Sequence, residues 1–104
     1  MDTTVFEALS DSRRLAIVEL LADGEHCVCD VSSELGISSA LASHHIKKLR
    51  EAGLVATRRK GAWLHCRLED GALDRLAQQI LELARRGAVV SAACCCGAAP
   101  EGTD

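Results

Sequence analysis

Apolar residues repeat at helical spacing along most of this chain and alternate in one stretch only. Between Val5 and Leu21, the positions Phe6, Leu9, Leu15, Ile17, Val18, Leu20 and Leu21 predict two helical pieces, with Ser10 and Asp11 between them suited to cap the second. Ala22-Asp23-Gly24 ends that pair. Val28, Val31 and Leu35, three and four apart, predict a short helix from about Cys29 to Leu35, broken by Gly36. Ser38 or Ser39 then caps a longer helix reaching Ala52, with Ala42, Ile46 and Leu49 inward and Gly53 closing it. The stretch LVATRRKGAWLHCRL, residues 54–68, alternates instead, and Lys60-Gly61 splits it into a hairpin. Trp63, His65 and Arg67 face one way there; Leu64, Cys66 and Leu68 face the other. After Asp70 helical spacing returns in Leu73, Leu76, Ala77, Ile80, Leu83 and Ala84.

A short helix, a glycine turn, a serine-capped helix and a hairpin make a winged helix-turn-helix, mainly α with a small β-hairpin. The last helix carries an apolar stripe too strong for a small domain to leave bare, which predicts a homodimer through the terminal helices. Residues 1–90 are expected to form the DNA-binding and dimerisation domain, and residues 91–104 a flexible Cys-rich tail.

Charge changes the picture more than composition does. The net charge of −3 disfavours nucleic acid as a partner, yet the distribution of charge points the other way. Between His44 and Arg67 stand Lys47, Lys48, Arg50, Arg58, Arg59, Lys60 and Arg67 against a single acid, Glu51. A basic patch on an acidic body is the footprint of a phosphate-backbone binder, here of double-stranded DNA. The second helix of the motif belongs in the major groove, with the wing at its side. Lys47, Lys48, Arg58, Arg59 and Lys60 are the expected phosphate contacts; Ser39, Ser43 and His44 are the expected base readers. His45, beside the inward stripe, is expected to be a structural hydrogen-bonder.

No apolar run approaches the roughly 18 residues that span a bilayer, and the acidic start MDTTVFEALSD is unlike a signal peptide, so a cytoplasmic protein without a membrane partner is expected. In that compartment the six cysteines suit metal ligands, redox thiols or core packing better than structural disulfides. Cys27 and Cys29 stand where a helix begins, and helix N-termini favour the thiolate. Residues two apart point about 200° apart in a regular helix, so both can face one ion only if Cys27 lies outside it or the first turn distorts. Ion capture by distortion would disturb the DNA-reading unit. Cys94, Cys95 and Cys96 follow the long helix and suit trigonal or tetrahedral sulfur sites. One or two of them would complete a site with Cys27 and Cys29; a site within the tail alone, or no metal role for the tail, are the alternatives. Cys66, beside Leu64 and Leu68, is expected to pack as a small hydrophobe.

Residues 8–70 resemble the ArsR/SmtB family of metal-sensing winged-helix repressors. EHCVCD is similar to that family's ELCVCDL metal box, which implies that Cys27 and Cys29 are inducer ligands. ASHHIKKL looks closest to the cadmium/lead-sensing branch, and GAWLHCRL to arsenic-sensing members. Three features depart from the family. Ser32 stands where some arsenic sensors carry a third cysteine, the N-terminal cysteine arm of cadmium sensors is missing, and Asp74 is followed by Arg75-Leu76 instead of the zinc sensors' histidine set. The resemblance implies a homodimeric repressor released by As(III) or Sb(III), for which a pyramid of three thiolates is suited, with Cd(II), Pb(II) or Hg(II) as alternatives. A thiol-redox or persulfide sensor is a second reading. A thiol enzyme or metal carrier is a third, and it lacks a C-x-x-C motif, a phosphate loop or an acid/base pair; a non-enzyme is expected.

Overall fold

The computed structural model describes residues 3–93, with side chains through residue 87. Its described residues fall into two compact units, divided between Leu73 and Asp74. The first unit begins with α1 (Thr4–Leu9) and α2 (Ser12–Leu21). Asp11 separates them in extended conformation, and its carboxylate accepts from the N–H groups of Arg13 and Arg14 at 2.8 and 3.3 Å. That is an N-cap, and the Arg13 N–H, ahead of the other influences, keeps the carboxyl below its ordinary range.

Next come β1 (His26–Cys27), α3 (Val28–Leu35) and α4 (Ser39–Glu51). Gly36 ends α3 in the left-handed region, at φ 66°, where the N–H groups of Gly36 and Ile37 close on the carbonyls of Ser33 and Ser32. Two residues later Ser38 caps α4 by accepting from the Leu41 N–H at 3.0 Å. The helix-turn-helix is therefore set by a glycine and a serine. Strands β2 (Val55–Lys60) and β3 (Trp63–Leu68) form the wing, joined through Gly61 at φ 59°.

The hairpin faces are those expected. Cys66 is buried and Leu64 and Leu68 half-buried, whereas Trp63 and Arg67 are exposed. The sheet, however, has three strands, in the order β1-β3-β2. β1 pairs antiparallel with β3, setting His26 opposite Cys66 and Cys27 opposite His65. The core gathers Ile17, Val18, Leu21, Val31, Ala42, Ile46, Leu49, Leu54, Val55 and Cys66 from α2, α3, α4 and the sheet. Ala42, Ile46 and Leu49 are its contribution from α4, as their spacing predicts.

The second unit carries most of α5 (Ala72–Ala93), whose 22 residues make a rod of roughly 33 Å. Ile80, Leu81 and Leu83 are exposed along it. Most of the expected tail, with Cys94, Cys95 and Cys96, lies outside the described residues.

Candidate metal centre and nucleic-acid interface

Cys27 has two structural duties. It ends β1, and it is also the N-cap of α3, with φ −77° and ψ 159°, its sulfur accepting from the Asp30 N–H at 3.3 Å. Cys27 thus stays extended while Cys29 sits in the first helical turn. The two thiols converge, with Cα atoms 5.3 Å apart, and are joined as a disulfide. That bond is the oxidised form of the pair; two thiolates available to an ion are its two-electron reduced form. The approach occurs with α3 in regular helix from Val28, so the distortion considered as a route to ion capture is unnecessary. Of the two ways to bring the sulfurs together, the chain uses the extended one.

Asp30 joins them. Its carboxylate and both sulfurs lie within 4.8 Å of one another, a two-sulfur, one-oxygen donor set. His26 Nδ1 lies 3.8 Å from the same carboxylate. Sequence reasoning passed over Asp30 as a donor, although it follows Cys29 directly. A carboxylate is a hard ligand and suits divalent ions better than As(III). Whether Cys94, Cys95 or Cys96 reaches this site is outside the described residues.

Cys66 takes no part. It is 1% exposed, its thiol donates toward the His26 carbonyl at 3.4 Å, and burial first, then the charge of Glu25, pushes its pKa to about 11. It stays protonated and packs, as expected.

On α4, Ser39, Ser43, His44, Lys47 and Lys48 are all exposed, with His44 and Lys47 turned furthest from the buried Ala42, Ile46 and Leu49. Lys48 lies toward the edge of that face, lining a cleft against α1 with Glu7, Arg14 and Glu51. The wing cations divide. Arg58 and Lys60 stand opposite His65 and Trp63 on the outer sheet face, and Arg59 alternates to the other side, opposite Leu64. All three are exposed. Arg58 and Lys60 are nevertheless engaged by Glu25, at 3.2 and 3.5 Å, and His65 Nδ1 lies 3.4 Å from the same carboxylate. The Arg58 hydrogen bond, opposed by desolvation, holds the Glu25 carboxyl below its ordinary range. Glu25 was invisible to sequence reasoning because its partners lie more than thirty positions away.

His45 is buried at 5% exposure, with Nδ1 3.4 Å from Arg14 Nη1. Arg14 also donates from Nε to the Ala8 carbonyl at 2.7 Å, tying α1, α2 and α4 together. Because a guanidinium only donates, Nδ1 must accept, which assigns the ring proton to Nε2. Nε2 has no partner among the described residues. Burial lowers the His45 pKa, Asp11 opposes this, and Arg14, His44 and Arg13 reinforce it. The unfolded chain therefore takes up this proton first as pH falls. Stability should be complete above about pH 6.5 and decline below it, by at most about 1.4 kcal/mol per pH unit for one proton. Urea unfolding at pH 7.5, 6.5 and 5.5 checks this: His45→Gln should flatten the acid-side decline, and an unchanged decline would assign it to other groups.

The sequence profile described as "Bacterial regulatory protein, arsR family" matches residues 11–57, from the α2 cap into the first half of strand β2. An arsenical resistance operon repressor from Staphylococcus aureus is 38% identical over 78 residues, covering 75% of each chain. This chain belongs to the arsR family. An Escherichia coli arsenical resistance operon repressor is 46% identical over 65 residues, 62% of this chain and 56% of that protein. The match thus spans little more than half of that relative's length. The solution structure of a homodimeric winged helix-turn-helix DNA-binding domain from Mycobacterium bovis superposes with a TM-score of 0.67 at 32% identity, covering 80% of this chain and 77% of the other. Both the profile and these relatives are of regulators. In this arsR-family chain α3, Gly36 and α4 are the helix-turn-helix, and β2 and β3 the wing. Among its described residues no helix is long and apolar enough to cross a membrane.

Proposed function

We propose that this arsR-family chain is a homodimeric repressor of operator DNA, released when As(III) or Sb(III) is held by Cys27, Cys29 and at least one sulfur from Cys94, Cys95 or Cys96. The observation that carries this reading is the double position of Cys27. The residue pairs with wing strand β3 and caps α3, so an ion on its sulfur acts on both parts of the DNA-reading unit. A third sulfur drawn from another segment would shift that junction relative to the groove, and this replaces distortion of α3 as the means of release. The relatives named for arsenical resistance support the choice of inducer. Dimerisation through the terminal helices is supported by the homodimeric Mycobacterium bovis domain and by the exposed Phe6, Ile80, Leu81 and Leu83.

The test uses a duplex selected by the protein from a random pool, followed by fluorescence anisotropy under reducing conditions. Arsenite should release the wild-type protein. Cys27→Ser with Cys29→Ser should bind the duplex and ignore arsenite; undiminished release would overturn the reading. Release by cadmium, lead or mercury but not arsenite would keep the repressor and replace its inducer, with Asp30 then a natural oxygen donor.

The Cys27–Cys29 disulfide favours a second reading, a redox-sensing repressor. A peroxide would take two electrons from the thiol pair, form the S–S bond and leave as water. Peroxide-driven release without any ion, with Cys27 and Cys29 crosslinked in the mass spectrum, would select it over ion sensing.

A further inference from the structure

Glu25 does something the helix-turn-helix does not require. It precedes β1, and its carboxylate reaches across to the outer face of the wing. There Arg58 meets it as a fork, Nε to Oε2 and Nη2 to Oε1, both at 3.2 Å. Lys60 Nζ approaches Oε2 at 3.5 Å and His65 Nδ1 the same oxygen at 3.4 Å. One acid thus gathers two cations and a histidine. Glu25 is itself half-buried, with 22% of its side chain exposed, whereas Arg58 and Lys60 remain 57% and 51% exposed. A nucleic-acid phosphate could therefore approach both cations from solvent.

Two parallel N–H donors of a guanidinium on two oxygens is the geometry by which arginine holds a phosphate as well as a carboxylate. A lysine beside the fork adds a second positive charge at the same oxygen. We infer that Glu25 stands in for a DNA phosphate on the wing of the free protein, so that the backbone of bound DNA must displace it from Arg58 and Lys60. This inference rests on the reading of the wing as a DNA-contacting element. It deepens that reading by naming the group with which phosphate competes. The competition lowers affinity for every sequence equally, because phosphates carry no base identity. Arg59, on the other sheet face opposite Leu64, lies outside the competition.

Anisotropy with the selected duplex and with a random-sequence duplex, under reducing, ion-free conditions, tests this in the full chain. Glu25→Gln should tighten binding to both duplexes by a similar factor, about three- to tenfold at low salt, and the gain should shrink as salt screens the charges. Arg58→Ala should weaken binding more in the Glu25→Gln background than in the wild type, because only there is the fork unoccupied beforehand. Glu25→Asp, which keeps the charge but shortens its reach, should fall between wild type and Glu25→Gln. A competitor and a brace predict opposite signs. If Glu25→Gln binds both duplexes equally well or more weakly, whatever its thermal melt, the inference is wrong, and a lowered melt with weaker binding marks Glu25 as a brace of the wing. If the wild type binds neither duplex, the DNA-binding reading fails first and takes this inference with it. If the wild type binds and responds to arsenite while Glu25→Gln changes nothing, only the competition is refuted.

Discussion

Leu49→Ala should lower the unfolding free energy by about 2–5 kcal/mol, the largest single-residue effect expected on stability. Leu49 is fully buried on the inner face of α4, in one cluster with Ile17, Val31, Leu54 and Val55. Truncation removes the transfer energy of its side chain and leaves a cavity between elements whose backbones are already locked by caps and sheet pairing. A domain of this size has only about 5–15 kcal/mol in total, so a large fraction of its stability would be lost. Urea denaturation by circular dichroism, at one protein concentration because dimerisation adds to apparent stability, measures it. A loss below about 1 kcal/mol would mean that the core between α4 and the sheet is packed less tightly than the burial indicates.

Lys47→Ala with Lys48→Ala should weaken DNA binding by roughly ten- to a hundredfold at moderate salt, similarly for all sequences. Both ammonium groups are exposed on α4, and each phosphate contact removed should make the slope of log affinity against log salt shallower by about one. Two lysines per protomer therefore predict a change of about two per protomer. Lys47 should account for more of it, since Lys48 lies at the edge of the face and shares a cleft with Glu7 and Glu51. A salt titration of the anisotropy signal with the double and single variants checks both statements. An unaltered salt slope would mean that α4 makes no backbone contacts through these lysines. A loss confined to the selected duplex would mean that they read bases.

Much of this architecture was legible in the residues alone. Periodicity placed α2, α3 and α4, Gly36 and a serine at 38 or 39 marked their ends, and the alternation after Leu54 marked the wing with its buried Cys66. Those features are local: each depends on residues within a turn or two, where side-chain spacing, caps and glycine decide the backbone.

What escaped the sequence is nonlocal. β1 is two residues long, too short for any period, and it exists because β3, nearly forty positions later, offers it a free edge. That pairing holds Cys27 extended, and an extended Cys27 turns two thiols that a helix would point apart into a convergent pair with Asp30 beside them. Counting charges likewise made Arg58 and Lys60 free cations, while the folded chain brings Glu25 onto them across the sheet. Sequence by itself determined the helix-turn-helix, the wing, the exposed positions of α4 and the placing of two cysteines one residue apart where α3 begins. Tertiary structure alone decided which of them meet, because strand pairing and side-chain ion pairs join positions whose separation along the chain carries no spacing to read.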